Sequence, residues 1–318
     1  MRRGNAGPAL GFVALLAAFW LVAKHFGIPE KLGDHIASAM LSFALLLAPY
    51  WAFGFGFGEW LNARVQGTAR TLVSLLLLLP YLVFTLPRGE FRWDMCLGMA
   101  GIVLAVSLLA PYARADWLVL AILGVSVDLH FFDRAWPVAG LTGMSKLLFV
   151  DAGLYAYLAI RPLGGIGFDF RLRRSDVSIG LREFAYYAPI ALALGFALRF
   201  LHWHGALPGS GAANPLAFGA GWLFTLFFVA MPEELFFRGL MLNMLERRLG
   251  AGRALAITSA IFGLAHFNKR AAYFNWRYVI LAAAAGVFYG RAWLAKRRLM
   301  ASSITHATVD TVWSIWLR

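Results

Sequence analysis

Six ionisable side chains stand inside apolar stretches of the last hundred residues. Glu233, Glu234 and Arg238 interrupt one run, as Pro232-Glu233-Glu234-Leu235-Phe236-Phe237-Arg238. His266 ends the next run, and His306 and Asp310 lie four apart in the last. At membrane depth such groups cost about 2.5 kcal/mol or more each, so they are seldom there without a task. A carboxylate with an imidazole can orient a water and take its proton. Donors beside them can hold a polarised carbonyl oxygen. This is the equipment of a water-activating hydrolase.

The spacing constrains how these groups can cooperate. Glu233 and Glu234 are adjacent, so on a helix they point about 100° apart and divide the work. Glu234 and Arg238, at i and i+4, share a face as an ion pair. That leaves Glu233 to face a polar cavity. Pro232 removes a backbone N–H just before it and loosens the helix. His306 and Asp310 also share a face, either to hold a substrate carbonyl or with Asp310 fixing the tautomer of His306. Depth is consistent across the set. At about 1.5 Å per residue, Glu233 lies about 21 Å from Arg247 and His266 about 20 Å from Arg253. His306 and Asp310 lie about 12 and 18 Å from Arg298. All fall within a hydrocarbon core of about 30 Å.

Taken singly, each feature has a plain structural use: a Glu–Arg strut, or a histidine bonding two helices. Their occurrence in order on three successive runs marks a polar site. Glu233-Glu-Leu-Phe-Phe-Arg238 resembles the Glu-Glu-x-x-x-Arg signature of the CAAX prenyl protease and bacteriocin-processing family. Phe262-Gly-Leu-Ala-His266 resembles its Phe-x-x-x-His motif, and Gly286-Val-Phe-Tyr-Gly290 its small-residue motif. His306-Ala-Thr-Val-Asp310 resembles its His-x-x-x-Asn/Asp motif. The resemblance implies a glutamic-type intramembrane endopeptidase. Glu233 and His266 would activate water, His306 and Asp310 would form the oxyanion site, and Glu234 and Arg238 would support both. It implies no cofactor; a metal held by Glu233, His266 and His306 stays open as the chemical alternative. The chain departs from the prenyl proteases at Asp310, where they carry Asn. An ionised Asp is a poor oxyanion donor, so it is protonated or it only orients His306.

Composition fixes the setting. The chain has 318 residues, 61% hydrophobic and 14% charged, with a net charge of +13. Soluble chains run near 45–50% apolar, so the expectation is an all-α polytopic transmembrane bundle of about 10–11 membrane segments. Apolar runs place them near 8–28, 35–61, 68–87, 93–113, 115–132, 142–161, 184–203, 216–245, 253–267, 277–295 and 299–317. The first, behind Met1-Arg2-Arg3, reads as a retained signal anchor. Gly54-Phe-Gly-Phe-Gly58 reads as a close backbone approach or as a helix end. The excess of Lys and Arg sits in short loops, where it orients the chain and meets anionic lipid, so nucleic acid is not the expected partner. The basic loop 161–182 divides the N-terminal helices, 1–160, of unknown role, from a protease-like core, 161–318. Cys96 is alone and reads as a small buried hydrophobe. Asp128 and His130 are candidates for a second polar feature, and His202 and His204 read as solvated.

The partners expected are a peptide or protein substrate at the membrane and the lipid itself; the location is the cell (inner) membrane. Other protease chemistries lack their motifs: there is no His-Glu-x-x-His and no Gly-x-Ser-x-Gly. Two other functions compete. A silent scaffold or immunity protein of the same fold would carry the same motifs without turnover. A proton-coupled transporter would use intramembrane acids in both halves, whereas these concentrate in one.

Overall fold

Long apolar runs that must satisfy every backbone N–H and C=O without water can do so only as helices, and helices are what the chain forms. The computed structural model describes residues 6–128, 130–141, 143–202, 215–268 and 273–317. No strand occurs among them. The protein is an all-helical polytopic membrane protein. Five of its helical stretches are long and apolar enough to cross a membrane: Gly7–His25, Ile28–Phe53, Thr68–Thr85, Phe218–Leu249 and Trp276–Lys296. The chain divides into two compact units, Met1–Leu163 and Gly164–Arg318.

In the first unit, α1 (Ala6–His25), α2 (Ile36–Phe53), α3 (Phe57–Arg64), α4 (Thr68–Thr85), α5 (Trp93–Leu109) and α6 (Asp116–Asp128) precede α7 (Met144–Leu154). A wider π-turn segment, Tyr155–Ile160, continues α7. Leu147, Leu148, Phe149, Ala152, Leu154, Ala156 and Tyr157 are all buried, so α7 and its π continuation form the centre of this unit. The run expected as one helix over 35–61 is two. It breaks at Gly54–Gly56 because Gly56 takes φ +91°, which a side chain would oppose.

The second polar feature expected at Asp128 and His130 is not an interior one. Both residues are exposed, and His130 Nδ1 pairs with Asp133 at 3.0 Å. The buried acids of this unit are instead Asp116, which pairs with Arg161, and Asp151 in α7; of these Asp151 stands apart. Neither of its carboxyl oxygens has a hydrogen-bond partner among the described residues. Cys96 is half-buried and unpaired by disulfide.

The second unit begins with a loop clamped by charge. Arg298 is buried. Its Nε and Nη2 reach Asp176 at 2.7 and 2.9 Å, Nη1 reaches Asp169 at 2.8 Å, and Nη2 also donates to the Arg171 carbonyl at 2.7 Å. Burial opposes the charged form of Asp169. Hydrogen bonds from Arg298 and the Arg171 N–H, and the charges of both guanidiniums, still hold its carboxyl below the usual range. Gly167 completes the clamp. Its carbonyl accepts from the Leu299 N–H at 3.0 Å, its φ is +76°, and a Cβ there would sit 2.1 Å from the Arg297 carbonyl oxygen.

Helix α8 (Arg174–Ala197) starts ten residues before the expected 184. The charges of 173–183 read as loop, but they are spent on structure. Asp176 accepts from the Arg173 N–H at 2.9 Å in a capping box, and buried Glu183 pairs with Arg182 and Arg291 at 2.8 and 2.9 Å. After Ala197 the chain turns through Arg199 at φ 50°, so the expected end at 203 is too late. His202 is exposed; His204 lies outside the described residues.

Helix α9 is continuous in path but not in pitch. α-Helical Pro215–Thr225 passes through π-turns at Leu226–Ala230, one α-turn at Met231–Glu234 and further π-turns at Leu235–Leu242, ending as Asn243–Leu249. Pro232 supplies no N–H within this region, and wider turns absorb the missing bond. Helices α10 (Ala251–Leu264), α11 (Trp276–Lys296) and α12 (Leu299–Trp316) follow. α10 packs along α11, and α12 packs on both α8 and α11. Ile179, Ala292 and Ala301 form a buried cluster where the last three meet.

Candidate active site

Glu234 is the hub. It is fully buried in the single α-turn of α9, between the two π segments. Its Oε1 accepts from Arg238 Nη1 at 3.0 Å and pairs with His306 Nδ1 at 2.8 Å. Its Oε2 accepts from the Ser302 hydroxyl. Arg238, one turn on, is also buried, and its Nη2 donates to the Gly286 carbonyl at 3.0 Å. The guanidinium lies over Phe262 at 4.5 Å and over Tyr289 at 5.3 Å. These faces and donors compensate a charge that would otherwise be costly at this depth. Gly286 permits the approach: a Cβ there would lie 3.1 Å from Ser259 and 3.4 Å from Arg238 Nη2.

His306 is the second centre. Its Nδ1 is on Glu234. Its Nε2 faces outward to Asp310 at 3.5 Å and Glu233 at 3.9 Å. Tyr289 stacks on its face, 4.5 Å between centroids and 17° between planes, and Phe262 meets it edge-on at 5.8 Å. The side chain of His306 is 4% exposed, against 28% for Glu233 and 39% for Asp310. The site is therefore graded, with Glu234 and Arg238 inside, His306 at the boundary, and the Glu233 and Asp310 carboxylates at the mouth.

His266 closes the group from the end of α10. Its Nδ1–H donates to the Phe262 carbonyl at 2.8 Å, which leaves the lone pair of the neutral ring on Nε2. Its ring stands against Phe262 at 4.7 Å and Tyr278 at 5.2 Å.

The structure thus joins Glu233, Glu234, Arg238, His306 and Asp310 in one network, with His266 beside it across Phe262. The Glu234–Arg238 pair forms as its spacing predicts. Three further residues belong to the site. Ser302 and Tyr289 contact the network directly, and the Gly286 carbonyl caps Arg238. Ser302 is one turn before His306, so a stripe at 302, 306 and 310 is the signal that marks it in the sequence. Tyr289 lies inside the small-residue motif Gly286–Gly290, though its residue type alone does not reveal its contact with His306. Among the described residues no group of three or more His, Cys, Asp or Glu is arranged to hold a metal.

Apolar helices long enough to cross a membrane, carrying a buried charge network, mark an integral membrane protein with a polar site among its C-terminal helices. Residues 215–312 match the family model described as Type II CAAX prenyl endopeptidase Rce1-like. That segment contains every site residue named above, and it bears out the resemblance read from the motifs. The C-terminal segment is Rce1-like, and the likeness is to a protease family. No curated protein and no solved structure matches the chain.

Proposed function

We propose that the second unit is a glutamic-type intramembrane endopeptidase that cleaves a membrane-associated or C-terminally tailed protein, in the cell (inner) membrane. The observation that carries this reading is the opposed placement of Glu233 and His306 Nε2, 3.9 Å apart at the mouth of the site. A water taken up by Glu233 attacks the scissile carbonyl, and Glu233 with His266 receives its proton. The carbonyl oxygen, as it gains charge, takes the Nε2–H of His306. The tetrahedral species collapses when the departing amine takes a proton back from the same pair. No covalent enzyme intermediate forms. Asp310, if ionised, can only accept hydrogen bonds, so its role is to orient His306. Glu234 and Arg238 hold that histidine from behind. The substrate is a peptide segment entering from the lipid or its surface.

The test is a comparison of protein termini in cells carrying wild-type protein or Glu233→Gln at equal abundance. New termini confined to wild-type name the cleavage site. Identical termini, with both proteins folded in the membrane, refute proteolysis and favour a silent scaffold.

A further inference from the structure

We infer that Ser302 is a positioning residue for His306, acting through both oxygens of Glu234; this rests on the reading of His306 as the oxyanion donor. Ser302 and His306 are one turn apart on α12 and grip the same carboxylate. His306 takes Oε1 at 2.8 Å, and the Ser302 hydroxyl takes Oε2. A carboxylate held on one oxygen alone can rotate about its last carbon–carbon bond. Oε1 would then leave the line of Nδ1, and Arg238, on that same oxygen, would not prevent it. The bond on Oε2 fixes the plane.

Ser302 is itself fixed. It is fully buried, and its oxygen lies 2.8 Å from the Tyr289 carbonyl. The ring of that same Tyr289 stacks on His306. The serine has one hydroxyl hydrogen; given to Glu234 Oε2, it leaves the Tyr289 carbonyl as a close neighbour and not a second acceptor. Ser302, Glu234 and His306 thus form one hydrogen-bonded chain, with the Tyr289 ring packed on the imidazole, and this arrangement aims Nε2 at the mouth. Preorganised aim of this kind separates a productive donor from one that must reorient in the transition state.

The experiment pairs kinetics with a readout that does not depend on turnover. The protein holds seven histidines. With 15N-histidine labelling, His306 is assigned by the signal lost in His306→Gln. In Ser302→Ala the His306 nitrogen signals should shift and broaden, and in Ser302→Thr they should return towards wild-type. On a quenched-fluorescence peptide spanning the cleavage site found by the termini comparison, Ser302→Ala should lower kcat about tenfold or more with KM within about twofold. Ser302→Thr should recover most of that loss. Unchanged His306 signals in Ser302→Ala overturn the inference, and so does an unchanged kcat when the signals move. If Ser302→Ala does not fold, the partial variant Ser302→Cys replaces it under the same criteria. Failure of the protease reading shows separately, as equal absence of cleavage by wild-type and Glu233→Gln.

Discussion

Replacing Arg238 with Ala should destabilise the protein severely, and the size follows from what the guanidinium touches. Arg238 and Glu234 are 1% and 0% exposed and 3.0 Å apart. Removing one partner of a buried pair typically costs about 3–5 kcal/mol, because the other charge stays buried. Glu234 keeps His306 and Ser302, which puts the loss at the lower end, about 3 kcal/mol. The Gly286 carbonyl also loses its donor, adding about 1 kcal/mol. A total of about 4 kcal/mol converts to a fall of about 8–16 °C for a unit of this size. Thermal unfolding in detergent micelles, followed by tryptophan fluorescence, reads the shift directly. Adding Glu234→Gln should recover part of it, since the stranded charge is then gone, with a coupling of at least about 1.5 kcal/mol in the double-mutant cycle. A shift below about 2 °C for Arg238→Ala, or strictly additive effects, would refute the strut.

Asp310→Asn should lower steady-state kcat on the same peptide, because it removes the carboxylate that faces His306 Nε2 and orients the ring; turnover at or above the wild-type level would reject the orienting role given to Asp310. Gly167→Ala should destabilise by more than about 1 kcal/mol, as it combines a strained φ with a clash at the Arg297 carbonyl; an unchanged unfolding temperature would exclude the clamp. Acid should loosen the same clamp. The folded carboxyl of Asp169 titrates below its unfolded value of about 3.9. Its contribution is thus complete above that value and lost as pH falls through the folded one. Unfolding temperatures from pH 6 down to pH 3 should fall less steeply in Asp169→Asn than in wild-type, and parallel curves would contradict this.

How much of this is legible in the sequence depends on range. Pro232, the i,i+4 pair Glu234–Arg238 and the apolar runs are local, and local rules carry them. The start of α8 is not, because its charges look solvated until Arg298 and Arg291, more than a hundred residues away, are seen to neutralise Asp176 and Glu183. Arg291, Arg297 and Arg298 look solvated in the sequence for the same reason: they are ion-paired to acids of α8, α9 and the loop before α8. In the site, the resemblance puts Glu234 beside Arg238 as a support. It gives no hint that Glu234 also grips His306, since that contact joins residues 72 positions apart. Asp151, a lone acid in an apolar run, carries no periodic signal, whereas Asp128 and His130 stand out by being close together.

In the proposed mechanism the two histidines take opposite proton roles, and their partners favour this division. His306 faces carboxylate oxygens from both ring nitrogens, Glu234 on one side and Asp310 and Glu233 on the other. Such a ring is satisfied when both nitrogens carry hydrogen, so it serves as a donor and not as a base. His266 gives its Nδ1–H to a neutral backbone carbonyl and is flanked by aromatic rings. Neither contact brings a carboxylate to the ring, and in the proposed mechanism His266 shares the proton of the attacking water with Glu233. Environments that push like groups apart in this way assign acid and base on one scaffold. The assignment also accounts for the third carboxylate. With Glu234 spent on holding His306, and Asp310 facing the donor nitrogen, Glu233 is the acid left at the mouth with a buried oxygen that accepts no hydrogen bond among the described residues. An unsatisfied acceptor in that position is the feature a water-activating base requires.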